Sequence, residues 1–160
     1  MKEFTVVFPY GFDSQGAPAL LMGQQPFGKP LAGYFNGPGG KINPDIDASI
    51  VDGAKREFKE ELGISALGLV YIGEIRHEQK VVHFFVTEVP YIMYKDTDVM
   101  INYTWFPLAD MSFVQHMLPG DEPIITFIRK HFTDLHKGRE FTPFKIVKEG
   151  KAIAEAVKFL

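Results

Sequence analysis

The segment from Ser49 to Gly63 constrains this chain more than any other. Ser49 followed three residues later by Asp52 resembles a capping box with Asp in place of Glu, and Gly63 stands where a C′ glycine belongs. Between them Val51, Ala54, Phe58 and Leu62 recur at helical spacing and form one apolar stripe. Glu57, Glu60 and Glu61 are related by i, i+3 and i, i+4 steps, so three carboxylates share one side of the helix. At about 100° per residue their mean direction lies roughly 115° from the stripe. Such a helix packs its stripe on a sheet or another helix and turns its acidic face outward. Like charges at these spacings repel by roughly a few tenths of a kcal/mol per pair. A solvated acidic face is the plain reading. Three hard oxygen donors beside a glycine-rich loop also make a seat for Mg²⁺ or Mn²⁺.

The chain is 160 residues long, 46% hydrophobic and 23% charged, which fits one globular domain spanning residues 1–160. Phe4 to Phe8 and Ala19 to Met22 read as strands, followed by a Gly/Pro-rich stretch from Phe27 to Gly40 that reads as loop. Beyond the acidic helix, Gly68 to Arg76 and Val81 to Val89 form an expected antiparallel pair, and a further strand is expected near Tyr103 to Phe106. A second amphipathic helix follows Pro123, with Ile124, Ile125, Ile128, Phe132 and Leu135 on its apolar side. The tail is ambiguous by pattern, either helical over Ala152 to Val157 or a hairpin turning at Glu149-Gly150. Strands on both sides of one helix, with a second helix late in the chain, point to a mixed sheet covered on both faces.

The absence of cysteine excludes disulfides, thiolate nucleophiles and Cys-type metal centres. A net charge of −3 argues against a duplex nucleic-acid binder, whose affinity comes mostly from neutralising phosphates. No run approaches the roughly 20 apolar residues of a membrane span, and no secretory h-region opens the chain, so a cytoplasmic protein is expected. Gly39-Gly40-Lys41 is followed by Ile42, and Phe35 holds the first glycine position, so no Walker A loop is present. The five histidines lack zinc spacing, and His83 and Trp105 are expected to be packed rather than catalytic. Asp96 and Asp98 are loop acids, solvated or a further metal contact. Asp121 is a candidate N-cap of the second helix.

The run Arg56-Glu57-Phe58-Lys59-Glu60-Glu61-Leu62-Gly63-Ile64 closely resembles the second half of the Nudix hydrolase signature, Arg-Glu-U-x-Glu-Glu-x-Gly-U with U bulky and apolar. The first half departs. Ala48 stands at the first acidic position, and Gly40 lies two residues further upstream than the signature has it, as if the loop carried an insertion. In the family that first Glu pairs with the Arg, and here either Asp47 or Asp45 is the candidate partner of Arg56. Phe35-Asn36-Gly37-Pro38-Gly39-Gly40-Lys41, Asp52-Gly53-Ala54 and Met117-Leu118-Pro119-Gly120-Asp121 resemble MutT-type members, most of all the branch hydrolysing oxidised purine nucleoside triphosphates such as 8-oxo-dGTP.

The resemblance implies the Nudix fold, a three-layer α/β/α sandwich in the α+β or α/β class, and settles the tail as a hairpin. It implies Mg²⁺, or Mn²⁺, held by Gly40, Glu57, Glu60 and Glu61. Arg56 and either Glu57 or Glu61 as general base would form the catalytic set. Asn36 and Asp121 would bond the base, Phe27 and Thr5 would line its pocket, and Lys41 would lie near phosphate. The implied reaction is attack of water on a nucleoside triphosphate, giving a monophosphate and pyrophosphate. Leu118 and Gly120 replace a stacking surface and one acidic base contact of the relatives, while His77 and Gln79 stand where they have aromatics. Losing an aromatic stack costs a base roughly 1–3 kcal/mol, so the base preference is open. The alternatives are another Nudix substrate, a dinucleoside polyphosphate or nucleotide sugar, and a nucleotide-binding module without hydrolysis.

Overall fold

Two strands far apart in sequence pair side by side and organise everything else. In the computed structural model, which describes residues 1–29 and 31–148, the strands run in chain order as β1 (Lys2–Phe12), β2 (Pro18–Gln24), β3 (Phe35–Asn36), β4 (Gly39–Lys41), β5 (Val70–His77), β6 (Lys80–Glu88), β7 (Ile101–Pro107) and β8 (Phe144–Lys148). Two α-helices, α1 (Ile50–Leu62) and α2 (Glu122–Lys137), interrupt them. β1 and β6 are parallel, from Lys2 opposite Lys80 to Tyr10 opposite Glu88. The sheet order is β3-β2-β1-β6-β5-β8, with β4 also on β1 and β7 on β2. β5 and β6 pair antiparallel, as the sequence predicts, while β8 lies parallel to β5, so the sheet is mixed.

Side-chain alternation along β1 divides the core. Val6 and Phe8 join Ile124, Ile125 and Ile128 of α2 on one face. Val7 joins Ala54, Phe58 and Leu62 of α1 on the other. The result is the expected Nudix fold, a mixed sheet between two helices. Val51 departs from the expected stripe, being exposed in the first turn of α1. Ser49 caps that helix, its hydroxyl accepting the Asp52 N–H at 3.1 Å, and Gly63 ends it in the left-handed region at φ 82°. Of the expected C-terminal hairpin, β8 is present and the second strand lies outside the described residues. Among the described residues no helix is long and apolar enough to cross a membrane.

The glycine-rich stretch is used for close approach of backbones. β3 and β4 lie so near β1 that a methyl group on Gly37 would overlap the Val7 carbonyl oxygen. That carbonyl belongs to a central strand and has no room to yield. Gly37→Ala is therefore expected to cost about 1–3 kcal/mol of stability. Gly68→Ala, with nothing within 4 Å of the added carbon, should stay within about 0.5 kcal/mol of the parent. Denaturant melts of the two variants check this, and equal midpoints would refute the packing argument.

Candidate active site

Arg56 ties the loop before α1 to the carboxylates on the helix. Its Nε and one terminal nitrogen donate to the two oxygens of Asp47, each at 2.8 Å. The other terminal nitrogen donates to Glu57 at 3.0 Å and reaches Glu60 at 3.5 Å. A further bond, at 3.3 Å, goes to the Lys41 carbonyl. Of the two candidate partners, Asp47 is the one engaged, and Asp45 is exposed. The local cause is Asn43. Its carbonyl accepts the amides of Ile46 and Asp47, closing a turn that swings Asp47 back toward α1. Asp47 in return accepts the Asn43 N–H at 2.8 Å. Gly53 permits this approach, since an added Cβ would lie 3.0 Å from Asp47 Oδ2 and inside the Ile42 side chain. The two extra loop residues thus deliver a carboxylate from one position earlier than the signature Glu.

The three glutamates do not behave as one outward face. Glu61 is only 8% exposed, Glu57 is half-buried, and the Glu60 side chain is 55% exposed. On the helical wheel Glu61 falls roughly 20° from Ala54, at the seam with the core, whereas Glu60 falls furthest out. The seam is anchored. Glu61 Oε2 accepts the Gly39 N–H at 2.9 Å, and its main-chain carbonyl accepts the hydroxyls of Thr97 (3.0 Å) and Tyr103. Burial pushes the Glu61 carboxyl up to about 8, the Gly39 N–H opposing and the charges of Glu57 and Glu60 assisting. Glu57 is raised in the same direction by burial, with Arg56 pulling it down. Gly40 packs directly on Glu57, a Cβ there falling 2.6 Å from its Oε1.

Glu57 and Glu61 open onto a cleft of about 680 Å³, within the usual range for a small-molecule site. Gly39, Gly40 and Lys41 form part of its wall, as do Lys2, Lys29 and Lys80. The last three lysines were not found from sequence, because only the β1–β6 register and the turn after β2 bring them there. A narrow recess of about 20 Å³ adjoins the cleft, sharing Gln25, Gly39 and Glu61 with it and lined also by Asn36 and Leu118. It has room for about one water and none for a purine.

Two expected pocket residues are elsewhere. Phe27 is 100% exposed, at the corner of a turn closed by the Lys29 N–H on the Pro26 carbonyl, and does not line the cleft. Thr5 is fully buried on β1, its hydroxyl without a partner among the described residues, and its neighbour Phe4 forms part of the cleft wall. Asp121 precedes α2 but makes no side-chain cap bond. The residue is 1% exposed, Oδ2 has no hydrogen-bond partner among the described residues, and burial raises the carboxyl well above the carboxylate range, with Lys148 opposing. His83 is buried and bonds Glu3 at 3.3 Å. Asp96 accepts the Asn102 N–H, and Trp105 packs beside the α1 cluster.

Among the described residues no three His, Asp or Glu side chains converge as a ready metal-binding set. Glu60, on the outer side of the same helix end, lies 3.5 Å from Arg56 with its side chain 55% exposed. At the cleft wall stand Glu57 and Glu61 beside Gly40, hard oxygen donors whose charged forms are disfavoured by burial. That donor set suits Mg²⁺, which commonly takes one or two carboxylates and completes its shell with waters and substrate phosphates.

The Arg56–Asp47 pair yields a stability prediction. Hydrogen bonds from Arg56 are the main cause holding Asp47 below its usual value. A depressed folded-state value adds stability above the ordinary aspartate range, and that stability is lost as pH falls through the lowered one. Asp47→Asn should cost about 1–3 kcal/mol near neutral pH and flatten the acid limb of the stability curve. Asp45→Asn should do neither. A pH series of melts tests both, and parent-like behaviour of Asp47→Asn would remove the pair from the account.

A family model described as the NUDIX domain matches residues 3–128. Among solved structures, the NUDIX domain of Shewanella oneidensis NrtR complexed with ADP ribose is 18% identical, with a TM-score of 0.67 over 81% of this chain and 87% of that one. A C. elegans Ap4A hydrolase is 18% identical, with a TM-score of 0.63 over 86% of this chain and 99% of that one. A MutT protein from Bacillus halodurans is 19% identical, with a TM-score of 0.58 over 81% and 82%. A search of curated proteins returned no match. Likeness at these identities concerns the fold, but the family model covers most of the chain and includes the whole Arg56–Gly63 helix end. The chain belongs to the Nudix family.

Proposed function

We propose that residues 1–160 act as one domain hydrolysing a nucleoside triphosphate, by attack of water on a phosphorus, to a monophosphate and pyrophosphate. A purine, including an oxidised one such as 8-oxo-dGTP, is the candidate base, and sanitation of the nucleotide pool in the cytoplasm is the role this would serve. One observation carries the reading: a cleft of about 680 Å³ sets two carboxylates, buried Glu61 and half-buried Glu57, beside the glycine backbone at Gly39-Gly40 and the cation of Lys41.

The chemistry follows from charge. A triphosphate resists water because its anionic oxygens repel the nucleophile. Mg²⁺ or Mn²⁺, when bound at Glu57 and Glu61 with the Gly40 carbonyl, supplies Lewis acidity and lowers the pKa of a bound water. The protein's own contribution is orientation and proton transfer. Arg56 fixes the Glu57 carboxylate from one side while Asp47 fixes Arg56. The Gly39 N–H holds Glu61 at the seam between helix and cleft. The proton released by attacking water goes to Glu57 or Glu61, the two carboxylates that line the cleft. Lys41 balances phosphate charge. Asn36, in the wall of the recess, and the buried carboxyl of Asp121 are the proposed base contacts. The recess must widen before a base can enter it.

Glu57→Gln and Glu61→Gln are each expected to lower kcat by about two to four orders of magnitude with Tm changed little. Full activity in both would overturn the assignment. A panel of nucleotides with Mg²⁺ tests the substrate. Pyrophosphate release from a purine triphosphate supports the reading. Cleavage of dinucleoside polyphosphates or nucleotide sugars alone would replace it, and binding without turnover would make the chain a nucleotide-binding module.

A further inference from the structure

Glu61 sits where a helix is weakest. It is the last residue but one of α1, in the final turn, whose carbonyls have no partner within the helix. Such turns fray, and a frayed turn moves its side chains. Here the end is closed from outside. The Gly63 N–H donates to the Lys59 carbonyl at 2.9 Å, and the Glu61 carbonyl accepts the hydroxyls of Thr97, at 3.0 Å, and Tyr103. Both hydroxyls come from one segment, Thr97 just before β7 and Tyr103 within it. That segment is itself pinned. The Thr97 N–H donates to the Met100 carbonyl at 2.8 Å, and the Thr97 hydroxyl accepts the Met100 N–H at 3.2 Å. Asp96 accepts the Asn102 N–H at 2.9 Å, and the Asn102 amide donates to Gln24 of β2 at 2.9 Å. Between these ties Val99 lines the cleft and Met100 lines the recess.

We propose that Thr97 and Tyr103 are positioning residues for the reaction, clamping the main chain of Glu61 so that its carboxylate stays at the cleft wall. Neither lines the cleft, so each acts through Glu61. Gly63 already ends α1, and a helix end of this kind is ordinarily left to water. The carboxylate is held separately by the Gly39 N–H, which fixes Glu61 at both of its ends. A reacting group must keep within roughly 0.5 Å of its productive place, and a displacement of about 1 Å costs about a hundredfold in rate. The role of the clamp rests on the reading of Glu61 as a carboxylate of the hydrolytic site.

The test compares substitutions that keep shape and remove one hydroxyl. Thr97→Val and Tyr103→Phe each take a donor from Glu61. Thr87→Val is the control, since the buried Thr87 hydroxyl donates to the Gly68 carbonyl at 2.6 Å away from the cleft. All three should lower Tm by about 2–4 °C. With Mg²⁺ and a purine nucleoside triphosphate, Thr97→Val and Tyr103→Phe should each lower kcat about tenfold with KM within about twofold of the parent. Thr87→Val and Thr97→Ser should both stay within about twofold of the parental kcat. Mn²⁺ binding without nucleotide, followed by electron paramagnetic resonance, is a readout free of turnover. It should weaken about tenfold in Thr97→Val and Tyr103→Phe and hold in Thr87→Val. Parental kcat and Mn²⁺ affinity in either clamp variant, or equal losses in Thr87→Val, overturn the clamp. The two proposals fail separately. A parent that hydrolyses no triphosphate loses the triphosphate reading, and the Mn²⁺ series then decides the clamp. A parent whose hydrolysis survives both clamp substitutions keeps the reading and loses the clamp. A parent that neither turns over nor binds Mn²⁺ overturns both.

Discussion

One guanidinium holds the site together. Arg56 donates to Asp47, to Glu57 and to the Lys41 carbonyl, and so joins the end of β4, the loop before α1 and the acidic side of α1 through a single planar fork. The fork is rigid and its charge permanent, which suits it to fixing one carboxylate through another. Asp47 is nearly buried and spends both oxygens on Arg56, so it serves to orient the arginine. Glu57 receives one bond and keeps the rest of its carboxylate for the cleft. Lys41 is held in the cleft wall by the same contact to its carbonyl.

Around that hub the cleft opposes charges of two signs. Glu57 and Glu61 are desolvated by the fold and lack full compensation, which favours a divalent cation. Lys2, Lys29, Lys41 and Lys80 lack ion-pair partners among the described residues, which favours an anion. Neither set is satisfied by the other. The proposed ligand, a metal-bridged polyphosphate, would satisfy both at once, and the modest acidic net charge of the whole chain hides this local arrangement.

Much of the fold was legible because its signals are local. The Ser49 cap, the Gly63 stop and the Ala54–Phe58–Leu62 stripe follow from backbone and period alone, and α1 forms where they predict. The β5–β6 pair likewise follows from two apolar runs joined by a short turn. The misreadings are equally instructive. Treating Glu57, Glu60 and Glu61 as one face ignored that their directions span about 100°, enough to bury one and expose another. Asp121 looks like a cap by sequence position, yet α2 begins with its carboxyl turned inward. Phe27 carries a residue type suited to a base pocket, but a tight turn leaves it in solvent.

The sequence by itself determined the family-bearing helix and the order of carboxylates on it, properties of spacing along one chain set by a 3.6-residue period and by capping chemistry. The acidic partner to Arg56 near residues 45–47 is what the family resemblance implies. Only the tertiary structure decided between Asp45 and Asp47, because the choice depends on how a turn at Asn43 folds back over Gly53. It alone also brought Lys2 and Lys80 together, since parallel pairing of β1 with β6 joins segments that no local rule relates. Hydrophobic period names the elements; long-range register, set by burial on both faces of the sheet, decides which charges meet in the cleft.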